Sequence, residues 1–299
     1  MFIADSENDR VIKTDLQGNI IFSIDSSSVP GGRYKNPGGI AIDSSGIIYA
    51  TNQGYGKIER FSPDGHYLSE IGSHGTNPGQ FNRPTGLAFG PDGSLYVADT
   101  GNNRIVKLSP NGTVLTIWGK EGVQDTEFRE PWGIAVEKEG MVYVTDSQNC
   151  RVEVFSPDGT WLNTWGAKGD DPGRFFIPTG IIIDTDGTVY VSDTNNFRIQ
   201  QFDKNGTFLH EFIPEYIGPY DKPRMYGLIK TPSGFITTST YTGEIISLEY
   251  GNDTGYGNTM VKNKNPVREE EVSLDEQYAR FSRSMDEWWN KTWEKLMAL

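Results

Sequence analysis

The sequence predicts an all-β fold, a six-bladed β-propeller of four-stranded antiparallel blades followed by a C-terminal α-helix. The main observation is a repeat without insertion or deletion, in which five glycines follow one another at intervals of 47 residues: Gly39, Gly86, Gly133, Gly180 and Gly227. Sequence periods of this length are typical of propellers and other repeat folds. The composition agrees, since 35 glycines and 16 prolines in 299 residues suit many short strands joined by tight turns.

Each unit of the repeat divides into four short strands. In the unit that contains Gly86, we expect strands at residues 86–89, 94–98, 104–108 and 113–118, with glycine- and proline-rich turns between them. A single sheet of this size cannot bury both of its faces, so neighbouring units must stack around a common axis. The count is a partial unit at residues 2–24, four clear units and a degenerate one from Gly227, and we expect residues 258–263 to help close the ring.

The motifs of the unit resemble the NHL repeat. The resemblance rests on Pro131-Trp-Gly-Ile-Ala135, on Tyr143-Val-Thr-Asp-Ser147 with Arg151, and on Phe155-Ser-Pro-Asp-Gly159, and it extends over roughly residues 2–250. It implies a propeller without implying one function, because proteins of this family include lyases, sensor domains and interaction modules. We therefore expect an NHL β-propeller over residues 1–260, a linker over 261–272 and an amphipathic helix over 273–299.

Bulk properties disfavour several classes of protein. The net charge of −13 argues against nucleic acid or an anionic membrane as the partner. No apolar run approaches the ~18 residues that span a bilayer, and the single cysteine, Cys150, excludes an internal disulfide framework. The sequence opens inside a repeat unit, which favours a processed or truncated N-terminus. We expect an extracellular or cell-surface protein, in which the glycosylation candidates are Asn111, Asn205, Asn252 and Asn290.

No catalytic, metal or cofactor site can be assigned from the sequence. An acidic residue precedes an arginine by five residues, as in Asp99 and Arg104, but the pair recurs in nearly every unit and therefore favours a structural role. Enzymes that resemble this family include lyases that hold zinc with several histidines in the central channel. The three histidines, His66, His74 and His210, occupy unrelated repeat positions. A metal-dependent lyase or lactone hydrolase with a channel site remains the alternative, and an RNA-binding NHL module is a weaker one.

The positions at which the repeat varies predict a binding site on one face of the propeller. The loop before each innermost strand and the loop between the second and third strands are expected on the same face, where basic residues outnumber acidic ones. Arginine and large aromatic residues are enriched at protein recognition sites. The predicted binding residues are Trp132, Tyr226, Arg83, Arg129, Arg224, Phe176 and Tyr55. The expected partner is a protein or an acidic glycan, although Trp132 and Tyr226 are equally compatible with simply covering the channel mouth.

The residues after 261 leave the repeat. Ser273 and Glu276 form a capping-box pattern at the start of the predicted helix. The apolar positions that follow at helical spacing are Leu274, Tyr278, Phe281, Met285, Trp288 and Leu296. A helix with this stripe is expected to dock on its own propeller or on a neighbouring subunit.

Overall fold

The computed structural model describes residues 1–15, 19–213, 225–231, 234–239, 244–249 and 261–264. The chain divides after Pro266, and every described residue belongs to the first unit, Met1–Pro266. The predicted helix at residues 273–299 lies outside the described residues. Residues 261–264, which were predicted to begin the linker, form a strand instead.

The described strands form six antiparallel sheets, and within each sheet the strands follow chain order from the inside outward. The first sheet has three strands: β1 (Phe2–Asp5), β2 (Arg10–Thr14) and β3 (Ile20–Ile24). Five sheets of four strands follow. These are β4 (Ile40–Ile42), β5 (Ile48–Asn52), β6 (Lys57–Phe61) and β7 (Tyr67–Ile71); β8 (Pro84–Phe89), β9 (Leu95–Asp99), β10 (Arg104–Leu108) and β11 (Val114–Trp118); β12 (Pro131–Val136), β13 (Val142–Asp146), β14 (Arg151–Phe155) and β15 (Trp161–Trp165); β16 (Pro178–Ile183), β17 (Val189–Asp193), β18 (Arg198–Phe202) and β19 (Phe208–Phe212); and β20 (Met225–Thr231), β21 (Gly234–Ser239), β22 (Glu244–Glu249) and β23 (Val261–Lys264).

The prediction of an all-β propeller with four-stranded antiparallel blades is confirmed. The predicted count of six such blades is wrong, because the described residues form five four-stranded blades and one sheet of three strands. The last blade obtains its fourth strand from β23, which pairs with β22. Short 3₁₀ turns occupy Ser6–Asn8, Ser26–Ser28, Pro30–Gly32, Gln53–Tyr55, Thr100–Asn102, Ser147–Asn149 and Thr194–Asn196. In the part of the chain that the structure describes, no helix is long and apolar enough to cross a bilayer.

The core lies between neighbouring blades. Trp118 of β11 packs on Phe155 of β14, with ring centroids 5.7 Å apart, and Trp165 of β15 packs on Phe202 of β18 at 4.5 Å. The two tryptophans are therefore packing residues between blades, as their shared repeat position predicts. Cys150 is buried as well, with its thiol against the backbone of Ile177.

The glycines of the 47-residue repeat allow the innermost strands to approach one another closely. A Cβ atom on Gly86 would lie 2.5 Å from the carbonyl oxygen of Trp132, and one on Gly133 would collide with that of Thr179. Gly39 and Gly180 meet the next blade in the same way. Any larger residue would force the neighbouring main chain away, so the repeat retains glycine for space.

The recurrent aspartate and arginine hold the loop that connects two blades. Asp146 is fully buried and accepts hydrogen bonds from Arg151 Nε at 2.9 Å and from the main-chain N–H of Arg129 at 2.7 Å. The other guanidinium nitrogens donate to the carbonyl oxygens of Val123, Gln124 and Glu127 in the connecting loop. Asp99 with Arg104 makes the same contacts. Asp193 with Arg198 differs in one bond, because a guanidinium nitrogen donates to Glu211 in place of a third carbonyl. The pairs are structural, and they fix the loops that lead into the innermost strands.

The β12–β15 blade contains a second buried carboxyl group beside this pair. Glu153 is fully buried, contacts Arg151, and accepts a hydrogen bond from the main-chain N–H of Thr126 at 3.1 Å. Burial, with the nearby Asp146 charge, raises the pKa of Glu153 to about 7 from 4.5, although Arg151 opposes the shift. In the next blade Gln200 stands at the same repeat position, and its amide donates to Asp193 at 2.9 Å.

We expect Gly133→Ala to lower the free energy of unfolding by about 2 kcal/mol, because the new methyl group must displace the main chain of β16. Urea unfolding with an unchanged m-value measures the loss. A matched variant is Gly187→Ala, since a Cβ there meets nothing within 4 Å, although its φ is +84°. The backbone strain alone should cost about 1 kcal/mol. Equal losses in both variants would contradict the steric explanation.

We expect Glu153→Gln to stabilise the protein above pH 7. The folded protein retains a proton on Glu153 that the unfolded chain releases, so stability falls as the pH rises from about 4.5 to about 7. Glutamine removes this loss, and at the equivalent position of the next blade the Gln200 amide donates to Asp193. The gain at pH 8 should be on the order of 2 kcal/mol, measured by urea unfolding across pH.

The control for this prediction is the exposed residue Glu121, since Glu121→Gln should leave the pH dependence of stability unchanged. A Glu153→Gln protein that keeps the wild-type slope between pH 5 and pH 8 would show that Glu153 ionises normally in the folded state.

Candidate functional site

One face of the propeller is formed by two sets of loops that hydrogen bonds hold together. The main-chain N–H of Gln148 donates to the carbonyl of Arg129 at 3.1 Å, and that of Asn195 donates to the carbonyl of Phe176 at 3.0 Å. Each bond joins a 3₁₀ turn after the second strand to the loop before the innermost strand. We call this surface the loop face, meaning residues 33–38, 80–85, 127–132 and 174–179 with the adjacent 3₁₀ turns. These bonds confirm the prediction that the two sets of loops lie on the same face.

Each loop presents a side chain from a left-handed residue directly before a proline. Asn36, Arg83, Glu130 and Ile177 have φ angles of 53°, 48°, 53° and 57°. This region is unfavourable for residues other than glycine, and a β-branched residue such as Ile177 is a clear outlier. Residues held in such conformations concentrate at functional sites. The four residues also differ in charge and size, so the same backbone geometry presents a different side chain in each blade.

Trp132 and Tyr226 form an aromatic pair, although a blade separates them in sequence. Their ring centroids are 6.1 Å apart with an interplanar angle of 50°, and both side chains are half-buried. Trp132 lies in β12 and Tyr226 in β20, and the equivalent residue of the intervening strand β16 is Thr179. At that position Thr179 is buried and donates its hydroxyl to the carbonyl of Tyr226 at 3.1 Å. The small residue in one blade thus leaves room for the aromatic residues of its neighbours.

A charged cluster joins two blades beside this pair. Arg83 Nη2 lies 2.7 Å from Glu130 Oε1, and Gln148 Nε2 donates to the other carboxylate oxygen at 3.3 Å. Arg83 is therefore half of an ion pair rather than an isolated cation. Sequence reasoning missed Glu130 and Gln148, although the 47-residue separation of Arg83 and Glu130 was a signal that the two face each other.

The other predicted binding residues are more dispersed. Arg129 is exposed, and its repeat position in the next blade is occupied by Phe176, which is 40% exposed and lies under Lys168 Nζ at 5.5 Å. Tyr55 is half-buried at the end of a 3₁₀ turn, where other blades use asparagine to bind their aspartate. Arg224 lies outside the described residues.

The hairpin turns of the blades lie on the face opposite to the loop face, and their acidic residues have a local structural role. Asp43, Asp158 and Asp203 accept hydrogen bonds from the backbone of their own turns. These backbone hydrogen bonds lower the pKa of Asp203. The pKa of Asp158 is lowered mainly by the hydrogen bond from the Ser156 hydroxyl and then by the backbone of its turn. On the loop face, backbone hydrogen bonds and Lys120 lower the pKa of Glu127. The acidic face therefore reflects turn chemistry, which leaves the loop face as the variable surface.

Within the described residues no group of three or more histidine, cysteine or acidic side chains is arranged to hold a metal ion. His66 lies in an exposed turn, His74 in a loop between blades, and His210 on the outer strand β19. Asn111 and Asn205 are exposed at hairpin turns, which is the position expected of a glycosylation acceptor. Asn252 and Asn290 lie outside the part that is described.

Known proteins confirm the architecture. A family model of the NHL repeat matches residues 81–108, 128–155 and 177–202. The solved structure of a streptogramin B lyase superposes with a TM-score of 0.62 and 17% identity, covering 88% of this chain and 78% of the other. Virginiamycin B lyase from Staphylococcus aureus gives 0.62 and 18%, with 90% and 81% covered. A chain of a nidogen/laminin complex gives 0.60 and 16%, with 84% and 94% covered.

No curated protein matches the sequence significantly. Identities this low establish the fold alone and transfer neither the activity of the lyases nor the partner of nidogen. The matched repeats coincide with the blades whose loops, aspartate–arginine pairs and glycines are described above. The chain therefore contains NHL repeats, which form blades of a β-propeller.

Proposed function

We propose that the protein is a non-catalytic binding scaffold that recognises a protein partner through the loop face. The observation that carries the proposal is the aromatic pair, Trp132 and Tyr226, two half-buried rings 6.1 Å apart beside an exposed arginine. Rings that are already ordered lose little conformational entropy when a partner covers them. Tryptophan, tyrosine and arginine are also the residues that most often dominate binding energy.

The surroundings of the pair fit a polypeptide partner. Arg83, Glu130 and Gln148 offer donors and acceptors that are already fixed by one another, as in the polar rim of a protein interface. Arg129 and Phe176 extend the surface along neighbouring blades with a cation and an exposed ring. The aspartate–arginine pairs below these residues fix the main chain of the loops, so a partner meets a preorganised surface.

The remaining features concern location and attachment. We propose that the protein acts outside the cytoplasm, with glycans on Asn111 and Asn205, whose exposed turns lie away from the loop face. The amphipathic segment at residues 273–299 would then attach the propeller to its own surface or to a neighbouring subunit.

A channel-centred lyase has less support. The similarity to streptogramin B and virginiamycin B lyases is below 20% identity, and the described histidines lie on an exposed turn, a connecting loop and an outer strand. Such an arrangement does not converge on one reaction centre. An RNA-binding role is disfavoured by the net charge of −13.

The test compares the immobilised protein with a Trp132→Ala/Arg129→Ala variant in an extract of the native source, with retained material identified by mass spectrometry. We expect a partner that is lost at least about tenfold with the variant, because truncation removes the ring and the free guanidinium. Protease treatment of the extract should abolish retention if the partner is a protein, whereas glycosidase treatment would do so for a glycan.

A matched control is Trp161→Ala/Lys138→Ala, which removes an exposed tryptophan and a lysine away from the loop face. This variant should retain the partner fully. Equal retention by wild type and both variants would refute the loop face as the recognition site. Loss with a chain ending at residue 266 alone would assign recognition to the tail.

A further inference from the structure

Three of the sheets hold a cation over an aromatic ring near the hairpin turns. In each sheet the ring and the cation are cross-strand partners; the pairs are Phe2 with Lys13, Tyr49 with Arg60 and Tyr96 with Lys107. The cations lie 5.2, 5.1 and 5.1 Å from the ring centroids, at which distance a ring attracts a cation. The two lysines also donate to a carbonyl of the next blade, that of Pro63 at 3.0 Å and that of Pro157 at 3.2 Å.

The β8–β11 blade shows what surrounds such an ammonium group. Lys107 Nζ lies 3.1 Å from Asp92 Oδ2, and the hydroxyl of Tyr96 donates to the carbonyl of Pro157 at 3.2 Å. Although burial opposes the shift, hydrogen bonds with Tyr96 and Asp92 raise the pKa of Lys107. A carboxylate, a phenol and a main-chain carbonyl therefore hold the ammonium group together.

The β12–β15 blade keeps these three groups but replaces the lysine. The acidic residue, the tyrosine and the carbonyl recur 47 residues later, as Glu139, Tyr143 and the carbonyl of Lys204. The Tyr143 hydroxyl donates to that carbonyl at 3.3 Å, as its counterpart does. The cross-strand partner of Tyr143 is Val154, which is buried and carries no charge. The partners of an ammonium group are thus retained where strand β14 supplies none.

This blade also adds a second carboxyl group at the same place. Glu137, in the turn after β12, stands where the β8–β11 blade has Gly90. It is only 7% exposed, and its Oε1 has no hydrogen-bond partner among the described residues. Burial and then the charge of Glu139 raise the pKa of Glu137, while Lys204 opposes the shift. A buried carboxylate of this kind needs a counter-charge.

Glu137 is directed towards the retained groups. Burial and, after it, the proximity of Glu137 raise the pKa of Tyr143 to about 12, with smaller effects of Asp203 and Glu139. The carboxylate therefore lies beside the same phenol whose hydroxyl contacts the carbonyl of Lys204. Oxygen atoms of three kinds meet at one point between two blades.

We propose that Glu137, Tyr143 and the carbonyl of Lys204 bind a monovalent cation of the size of potassium or ammonium. The ion takes the place that a lysine ammonium group holds in the β8–β11 blade, so it restores the same single charge. Carboxylate, hydroxyl and carbonyl oxygens suit a hard cation. No three acidic or histidine side chains converge within the described part of the chain, and one buried carboxylate matches one positive charge. The small exposure of Glu137 admits an ion and excludes a large organic cation.

The test melts the full chain in potassium chloride, ammonium chloride or tetramethylammonium chloride at equal ionic strength. Potassium or ammonium should raise the melting temperature by about 3 °C relative to tetramethylammonium, with saturation, because the ion binds only the folded protein. The chloride that acts at the lower concentration identifies the ion. Glu137→Gln should abolish the difference, and Glu121→Gln, which changes an exposed carboxylate elsewhere, should retain it.

A second variant supplies the missing charge from the chain itself. Val154→Lys places an ammonium group at the repeat position of Lys107, opposite Tyr143. This protein should melt in tetramethylammonium chloride at the temperature that the wild type reaches with potassium, and added potassium should have no further effect. Crystals grown with rubidium, a potassium substitute, test the location without any variant. An anomalous peak is expected between Glu137 and the carbonyl of Lys204.

Four results would overturn the proposal. Equal melting temperatures of the wild type in all three salts would exclude a specific ion, and a potassium response that survives Glu137→Gln would place it elsewhere. Stabilisation by calcium at a lower concentration than potassium would assign the site to a divalent ion. Loss of the response in Lys204→Met, which keeps the carbonyl, would show that the side chain is required. The Trp132→Ala/Arg129→Ala variant should respond normally, which separates this site from the loop face.

Discussion

The structure depends on the close contact between neighbouring innermost strands at the repeated glycine. Because no side chain stands at Gly86, the next blade comes near enough for two hydroxyls to reach its main chain. Thr85 donates to the carbonyl of Trp132 at 2.8 Å, and Thr100 donates to that of Pro131 at 2.6 Å. One glycine position therefore sets the spacing of neighbouring blades.

The hydrogen bonds of the aspartate–arginine pairs allow the side chains of the loop face to vary. The connecting loops are fixed from beneath, by a buried aspartate and by an arginine that donates to three carbonyl groups. Burial raises the pKa of Asp146, as of Asp99 and Asp193, while the hydrogen bonds to each carboxylate oppose the shift. Because these groups hold the backbone, the side chains of Arg129 and Trp132 are not needed to fix the loop. Strained left-handed residues persist for the same reason.

The sequence alone predicted what the repeat enforces: the strand order, the glycine contacts and the structural role of the aspartate–arginine pair. It also brought Trp132 and Tyr226 to one face. It could not predict what depends on contacts between blades. The ion pair of Arg83 with Glu130 was hidden because each residue was judged within its own unit. The unit at residues 2–24 was recognised as partial, and it forms a sheet of three strands.

The buried position that Glu153 occupies shows that each blade balances its interior charge separately. In the β4–β7 blade, amide and acid are exchanged: Asn52 replaces the aspartate and donates to Glu59 at 2.9 Å. In the β16–β19 blade, the Gln200 amide satisfies Asp193. Only the β12–β15 blade, among those with described side chains, sets two buried carboxyl groups against one arginine. That blade also carries Arg129, Glu130 and Trp132. A local rule is thus broken beneath the most elaborate part of the loop face, which is where functional sites are expected to break it.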